Sequence, residues 1–418
     1  MYQRVAIASA LALFLTACSR TAPAELRTQF TAEGTSSVDV IAVVQAEHAG
    51  DGPRYLRAAT TSLQVLTPWL GPWPGTSLRI VDPPWHGAPA ASGADIVLPR
   101  TPWWSPPPSM TPELAVARAI ARRYWSELID SRALPEWFTD AVVEYLARRI
   151  VTPLFESANL PPGYAMLESR YFGGFVPRFA RLRLMAEKDG SPLEAYRANP
   201  RVRPKSRASA DETRALSAKT VLTLNTLERW VGRPAFDGAL AVFARTARDS
   251  APTLDDFARV VSSAAGYELS WFFTQTLEGG AVFDYGVADV TSVPSASGAF
   301  ETTVVAARLG DGLFTGTSAP PVGPFESGRG LKVAVDFEDG ERVIDWWDGR
   351  DTQKTLVYRS RSRAVRATID PDRTLVLDLH VTNNGRTVVP EGGRAATRWA
   401  ARWLIWFEHA LLTCSALV

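Results

Sequence analysis

Arg118 and Arg122 stand four residues apart in a stretch, 111–151, that reads as two helices joined by a short turn. On a helix this spacing puts both guanidinium groups on the same side. Asp140 lies on the second helix, with Glu144 one turn further on. Two arginines and a carboxylate on neighbouring helices are the groups of an ion pair, Arg118 or Arg122 with Asp140, that would pin the two helices together. The same residues fit two other uses: solvated arginines on an exposed flank, or a grip on an anionic ligand such as a peptide carboxyl end.

Few other residues offer chemistry. The four histidines are His48, His86, His380 and His409, and none is paired with another at metal-ligand spacing. His86, in a Pro-rich loop, reads as a surface residue. Cys18 and Cys414 lie at opposite ends, which gives neither a disulfide framework nor a thiolate metal site. Serine has no Gly-x-Ser-x-Gly elbow, and no phosphate-binding loop is present. Trp103-Trp104 and the aromatic run 171–175 could line a cleft or pack under a loop.

The elements that must position the arginines are legible from periodicity. Thr111 is a good N-cap, followed by Pro112 and Glu113. Leu114, Ala117, Ile120, Ala121, Tyr124 and Leu128 then recur at helical spacing, as do Phe138, Val142, Tyr145, Leu146 and Arg149 on the second helix. Upstream, 36–45 alternates as a strand, 55–66 reads as an amphipathic helix, and 77–81 and 95–98 read as strands. Residues 187–210, polar and carrying four Gly and Pro, read as a surface insertion. From Asp284 the period changes to two. Seven short strands, 285–293, 300–309, 331–337, 342–347, 354–359, 364–370 and 374–379, predict a β-sandwich.

With 418 residues the chain is long enough for two or three domains. Its formal net charge of +1 leaves no basic field for nucleic acid. Residues 1–17 carry Arg4 and an apolar core, the pattern of a secretory signal rather than a membrane span. Leu15-Thr16-Ala17-Cys18-Ser19 resembles a bacterial lipoprotein cleavage box. That resemblance implies cleavage before Cys18, lipidation of Cys18, and a place at the outer membrane facing the periplasm. The tail holds Trp399, Trp403, Trp406, Phe407, Leu411 and Leu412, interrupted by Arg402, Glu408 and His409. It reads as an apolar helix lying on the membrane or packing on protein, not one that spans it.

Within 55–277 the chain resembles the aminopeptidase N family, zinc peptidases of the gluzincin group. Val116-Ala117-Arg118-Ala119-Ile120-Ala121-Arg122-Arg123-Tyr124-Trp125 falls in the register of the family's Val-Ala-His-Glu-x-x-His-Gln-x-Trp zinc helix. Trp137-Phe138-Thr139-Asp140-Ala141-Val142-Val143-Glu144-Tyr145 falls in the register of Trp-Leu-x-Glu-Gly-x-x-x-Tyr. Ser217-Ala218-Lys219-Thr220 fits Tyr-x-Lys-Gly, and Gly266–Phe273 resembles the closing Gly-x-x-Leu-x-Trp-Phe-Phe. The resemblance implies a thermolysin-like, aminopeptidase-N-like α+β domain followed by a small β-sandwich.

It also implies what has been lost. Arg118 and Arg122 stand where the family has its zinc-binding imidazoles, and guanidinium has no lone pair to offer. Ala119 replaces the general base, and Ser217 replaces the tyrosine that steadies the oxyanion. Asp140 stands at the third-ligand position; a strict count would place Ala141 there, but Trp137 and Tyr145 align with Asp140 in place. No catalytic residue, metal ligand or cofactor is therefore expected. The expected divisions are a signal at 1–17, a tether at 18–35, a peptidase-like domain at 36–280, a β-sandwich at 281–388 and a C-terminal helix at 389–418. The expected function is a membrane-anchored pseudo-peptidase that binds or scaffolds an envelope protein or peptide. The alternative is an active metallopeptidase or other hydrolase using an unrecognised site.

Overall fold

The structure, a computed structural model, describes residues 22–32, 37–100, 111–129, 134–156, 192–247, 250–296, 298–315 and 330–390, with scattered positions between 392 and 407. It is an α+β protein. The first sheet has the order β1 (Ala24–Phe30), β2 (Val38–Val44), β3 (Ser77–Val81), β4 (Ile96–Val97). β1 pairs antiparallel with β2, and the other two pairings are parallel. A parallel pair needs a crossover, supplied between β2 and β3 by α1 (Gly52–Leu70), which extends beyond the expected 55–66 at both ends. α1 turns Tyr55, Ala59, Leu63, Leu66 and Leu70 into the core. Gly52 lets it start against β1, since a Cβ there would lie 2.9 Å from Leu26.

The expected tether, 18–35, is corrected by β1. Leu26, Thr28 and Phe30 are half-buried while Glu25, Arg27 and Gln29 are exposed, the two-residue alternation of an edge strand. β2 lies beside it with Val38, Val40, Ala42 and Val44 buried, so the strand covers an edge that β2 would otherwise expose.

α2 (Thr111–Leu128) and α3 (Glu136–Glu156) follow as expected. A short helix at 192–198, α4, occupies part of the expected surface insertion and buries Tyr196 completely. α5 (Ala210–Val231) begins with a capping box in which Ser209 accepts from the Glu212 N–H. α6 (Arg233–Ala247) and α7 (Leu254–Ala265) follow, α7 capped by Thr253 with Asp256 and closed by Gly266 at φ 74°. α8 (Ser270–Phe273) follows and runs into a π-helical turn at Thr274–Glu278. Their shared core is aromatic: Phe257 meets Phe138, Phe243 and Phe273 with centroids 5.2, 5.3 and 5.9 Å apart.

The remaining strands form two antiparallel sheets. One has the order β5 (Tyr285–Pro294), β6 (Phe300–Arg308), β9 (Gln353–Ser360). The other runs β11 (Gly385–Thr387), β10 (Ala364–Ile369), β7 (Leu331–Phe337), β8 (Arg342–Trp347). Six of these occupy stretches read as strands. The seventh expected strand, 374–379, is not one. Its N–H groups go elsewhere: Thr374 and Leu375 donate to the Asp370 carboxylate, and Val376 donates to Thr226 Oγ1 on α5 at 3.1 Å. Leu375 and Leu377 are buried, so the alternation was real, but it lays a folded loop across the helices.

That loop joins the sandwich to the helical part. Arg229 on α5 donates to the Arg373 carbonyl, Arg197 on α4 donates to the Leu379 carbonyl, and Trp230 packs 4.7 Å from Phe314. Asp378 is buried within it, accepting from Asn384 Nδ2 at 2.9 Å. Burial, only partly offset by Asn384 and the His380 N–H, pushes its carboxyl up to about 7. The folded state therefore holds a proton that the unfolded chain releases near the ordinary value of 3.8, so this contribution is lost as pH rises from about 4 to 7. In urea titrations the stability difference between wild type and Asp378→Asn should fall across that window. A difference flat with pH would show that Asp378 is not protonated in the fold.

Candidate functional site

Arg118 and Arg122 lie on the outer side of α2, opposite the buried Ile120, Tyr124 and Trp125. Their side chains are 46% and 57% exposed. α3 packs alongside, and each arginine finds its own carboxylate there. Arg122 Nη2 donates to Asp140 Oδ1 at 2.6 Å, which is the expected pair. Arg118 reaches Glu144 instead, with Nη2 at 2.9 Å from Oε1 and Nε on the other oxygen. Arg148, one turn beyond Glu144, donates a third bond to it at 2.6 Å. Both the ion pair and the exposed flank thus hold: the arginines bridge the helices while their outer edges face solvent.

The two pairs differ in environment. Asp140 is about a third exposed, whereas Glu144 is largely buried and Arg148 beside it is 13% exposed. Burial alone would raise the Glu144 carboxyl, but Arg118 and Arg148 outweigh it and hold the group below its ordinary range. Ala119 is partly buried against the core and Ala141 is fully buried. Neither side chain can move a proton. Ser217 is half-buried on α5, whose neighbours Ala215 and Leu216 pack with Val202 and Trp137. Next to it, Lys219 is fully buried and donates to the carbonyls of Val202 and Gly279; burial pushes its ammonium down to about 8. It serves as a clamp on two loops. Cys18, Trp103-Trp104 and 171–175 lie outside the described residues.

A second polar cluster sits at the other end of α3. Arg149 is over 90% buried, its guanidinium 4.6 Å from the centre of the Trp69 ring on α1. It donates to Tyr145 OH at 2.9 Å, to Glu228 on α5 at 2.8 Å and to Asp237 on α6 at 2.9 Å. Tyr145 OH in turn donates to Glu228 Oε2 at 3.0 Å. Arg149, Arg233 and Tyr145 hold Glu228 below its ordinary value against the cost of burial. Asp237 lies above its own, because burial and the Glu228 charge exceed what Arg149 returns.

The residues missed by sequence reasoning are His48 and Asp82. They follow the C-terminal ends of parallel strands β2 and β3, where ligands gather in open sheets of this kind. His48 Nδ1 lies 2.8 Å from Asp82 Oδ2, which also accepts the Gln45 N–H. Asp82 is 1% exposed, and His48 Nε2 is buried without a hydrogen-bond partner. The pair is 34 residues apart in sequence, so no spacing rule would find it. Beside it, Arg54 grips Glu113 through two bonds of 2.6 and 2.7 Å and Asp51 through one. A groove of about 600 Å³ lies elsewhere, lined by Phe30, Gln64, Thr67, Pro68 and Pro72 among others. Among the described residues, no three His, Cys, Asp or Glu side chains converge as a metal site.

No protein-family model matches the chain, and no curated protein matches it. Among solved structures it is similar to aminopeptidase A of Legionella pneumophila, determined in complex with aspartic acid. The identity is 14% and the TM-score 0.48, over 85% of this chain and 38% of the Legionella chain. The chain thus spans well under half the length of that protein.

The two ion pairs should contribute unequally. Asp140→Asn should cost under about 1 kcal/mol, as for exposed pairs. Glu144→Gln should cost about 2 kcal/mol or more, because it removes the charge that Arg118 and Arg148 share in a largely buried site. The Glu144 contribution should be present above pH 4.5 and fade below it, since the folded-state pKa is the lower one. Urea unfolding of the two variants measures both effects, and equal costs would show that the burial difference does not matter.

Proposed function

We propose that the chain is an envelope-anchored, aminopeptidase-N-like pseudo-peptidase that has lost zinc and its general base and acts as a binding or scaffold protein. One observation carries the reading. The two positions that would present imidazoles to a metal hold Arg118 and Arg122, and each is already engaged by a carboxylate of α3. Guanidinium groups offer no lone pair and repel a dication, and Ala119 cannot take a proton from water. The residues present do not fit zinc, so no hydrolytic step is drawn through it. Lipidation at Cys18 and a periplasm-facing outer-membrane location belong to this reading, on the strength of the cleavage-box resemblance.

The register is testable by restoring it. Arg118→His, Ala119→Glu and Arg122→His together, with Asp140→Glu supplying the acid, should give a chain that binds one zinc per molecule. The native chain should bind none in equilibrium dialysis and should turn over no aminoacyl anilide. A folded restored variant that ignores zinc would remove the positional argument. Native protein with stoichiometric zinc and turnover would overturn the reading outright.

A second reading, a hydrolase working elsewhere, has one observation in its favour: the His48–Asp82 pair with its unpartnered Nε2. A carboxylate on Nδ1 fixes the tautomer that leaves Nε2 free to accept a proton. Hydrolysis of ester or peptide substrates by the native chain, abolished in a folded His48→Gln variant, would establish this reading. An inactive native chain excludes it for the substrates tried.

A further inference from the structure

Residues 394–411 carry two rows in parallel. Trp399, Trp403, Phe407 and Leu411 recur every fourth position, and so do Arg394, Arg398 and Arg402. On a helix the two rows run side by side, about 100° apart. Ala396, Ala400, Leu404 and Ala410 widen the aromatic side, while His409 joins the arginines and Glu408 is the lone acid between 394 and 411. Ile405 interrupts the basic row. The described positions between 392 and 407 are helical and exposed, with Trp403, Leu404 and Phe407 at 58%, 51% and 56%. No described helix is long and apolar enough to cross a membrane.

We propose that this C-terminal helix docks in the plane of an anionic phospholipid surface, its aromatic row sunk to the acyl boundary and its arginine row against the headgroup phosphates. Three arginines against one acid complement an anionic bilayer, whereas a copy of the same helix would meet the same positive charge. Tryptophan favours the interface because its ring is apolar and its N–H needs a wet partner. Polar breaks at Arg402, Glu408 and His409 suit a helix half-immersed rather than one inserted across. The inference stands on the tail alone and does not depend on the loss of zinc.

The two cysteines provide the test. In the full chain carrying Cys18→Ser, an environment-sensitive fluorophore on Cys414 reports the apolar side of the tail and nothing from the N-terminus. Adding phosphatidylglycerol-containing vesicles should shift its emission to the blue, with a far weaker response to pure phosphatidylcholine. Trp403→Glu with Phe407→Glu should abolish the shift. Replacing Arg394, Arg398 and Arg402 by Gln should weaken lipid affinity by roughly a hundredfold, about fivefold for each arginine. Thermal unfolding should be unchanged in both variants, as expected for a tail whose described side chains Trp403 and Phe407 are more than half exposed. Absence of a vesicle-dependent shift overturns the proposal, as does a probe already blue without lipid or a variant that lowers the unfolding midpoint. An equal response to both lipids overturns the choice of an anionic surface.

Discussion

Arg149 is the contact on which the helical part depends. One guanidinium group meets Trp69 on α1, Tyr145 on its own helix, Glu228 on α5 and Asp237 on α6. Such a group is costly to bury and is retained only when its donors are used. Here two carboxylates and a phenol take them, and the ring of Trp69 covers its face. Removing one partner of a buried pair typically costs about 3–5 kcal/mol, a large share of the stability of an ordinary domain. The ion pairs of Arg118 and Arg122 sit on the solvent side of the same helix pair and are worth less. The helices are therefore placed by the buried cluster, and the outer pairs occupy positions that it has already fixed.

This order of dependence bears on the chemistry. A zinc site of the kind resembled balances a dication with neutral imidazoles and a carboxylate. On α2 and α3 three guanidinium groups meet two carboxylates instead: Arg118 with Glu144, Arg122 with Asp140, and Arg148 sharing Glu144. Among the described residues, the two α3 carboxylates beside these arginines, Asp140 and Glu144, are each held by a guanidinium group. Because the frame is held by Arg149 rather than by the outer residues, positions 118 and 122 can be substituted without moving the helices.

Legibility followed the same division. Helices α2 and α3 were readable because Leu114 to Leu128 and Phe138 to Arg149 repeat with a helical period over many turns. The Arg122–Asp140 pair was readable because spacing on one helix and the register of Trp137 and Tyr145 on the other bring them to one side. Periodicity placed Arg149 on the buried face of α3 but could not name its partners Trp69, Glu228 and Asp237, which lie on three other helices. β1 was missed because AELRTQF carries only two large apolar residues; the strand exists to cover the edge of β2, a tertiary demand. Residues 374–379 misled in the opposite sense. Their alternation is a burial pattern, and Asp370 and Thr226 take the N–H groups that a strand would give to a neighbour.

β1 also changes the geometry of the proposed membrane attachment. With a tether running to residue 35, a lipid on Cys18 would leave the folded body free to sample a wide volume. The first sheet instead begins at Ala24, six residues beyond Cys18. Fully extended, six residues span at most about 20 Å, so an anchor at Cys18, if lipidated as proposed, would keep the first sheet close to the bilayer. A body held that close meets the membrane at a high effective concentration, and a second weak contact then adds strongly to the first. The interfacial helix proposed at the other end of the chain would be such a contact. With both ends engaged, the protein would be held in a restricted orientation, and the face that the Arg118 and Arg122 row presents would be fixed relative to the membrane.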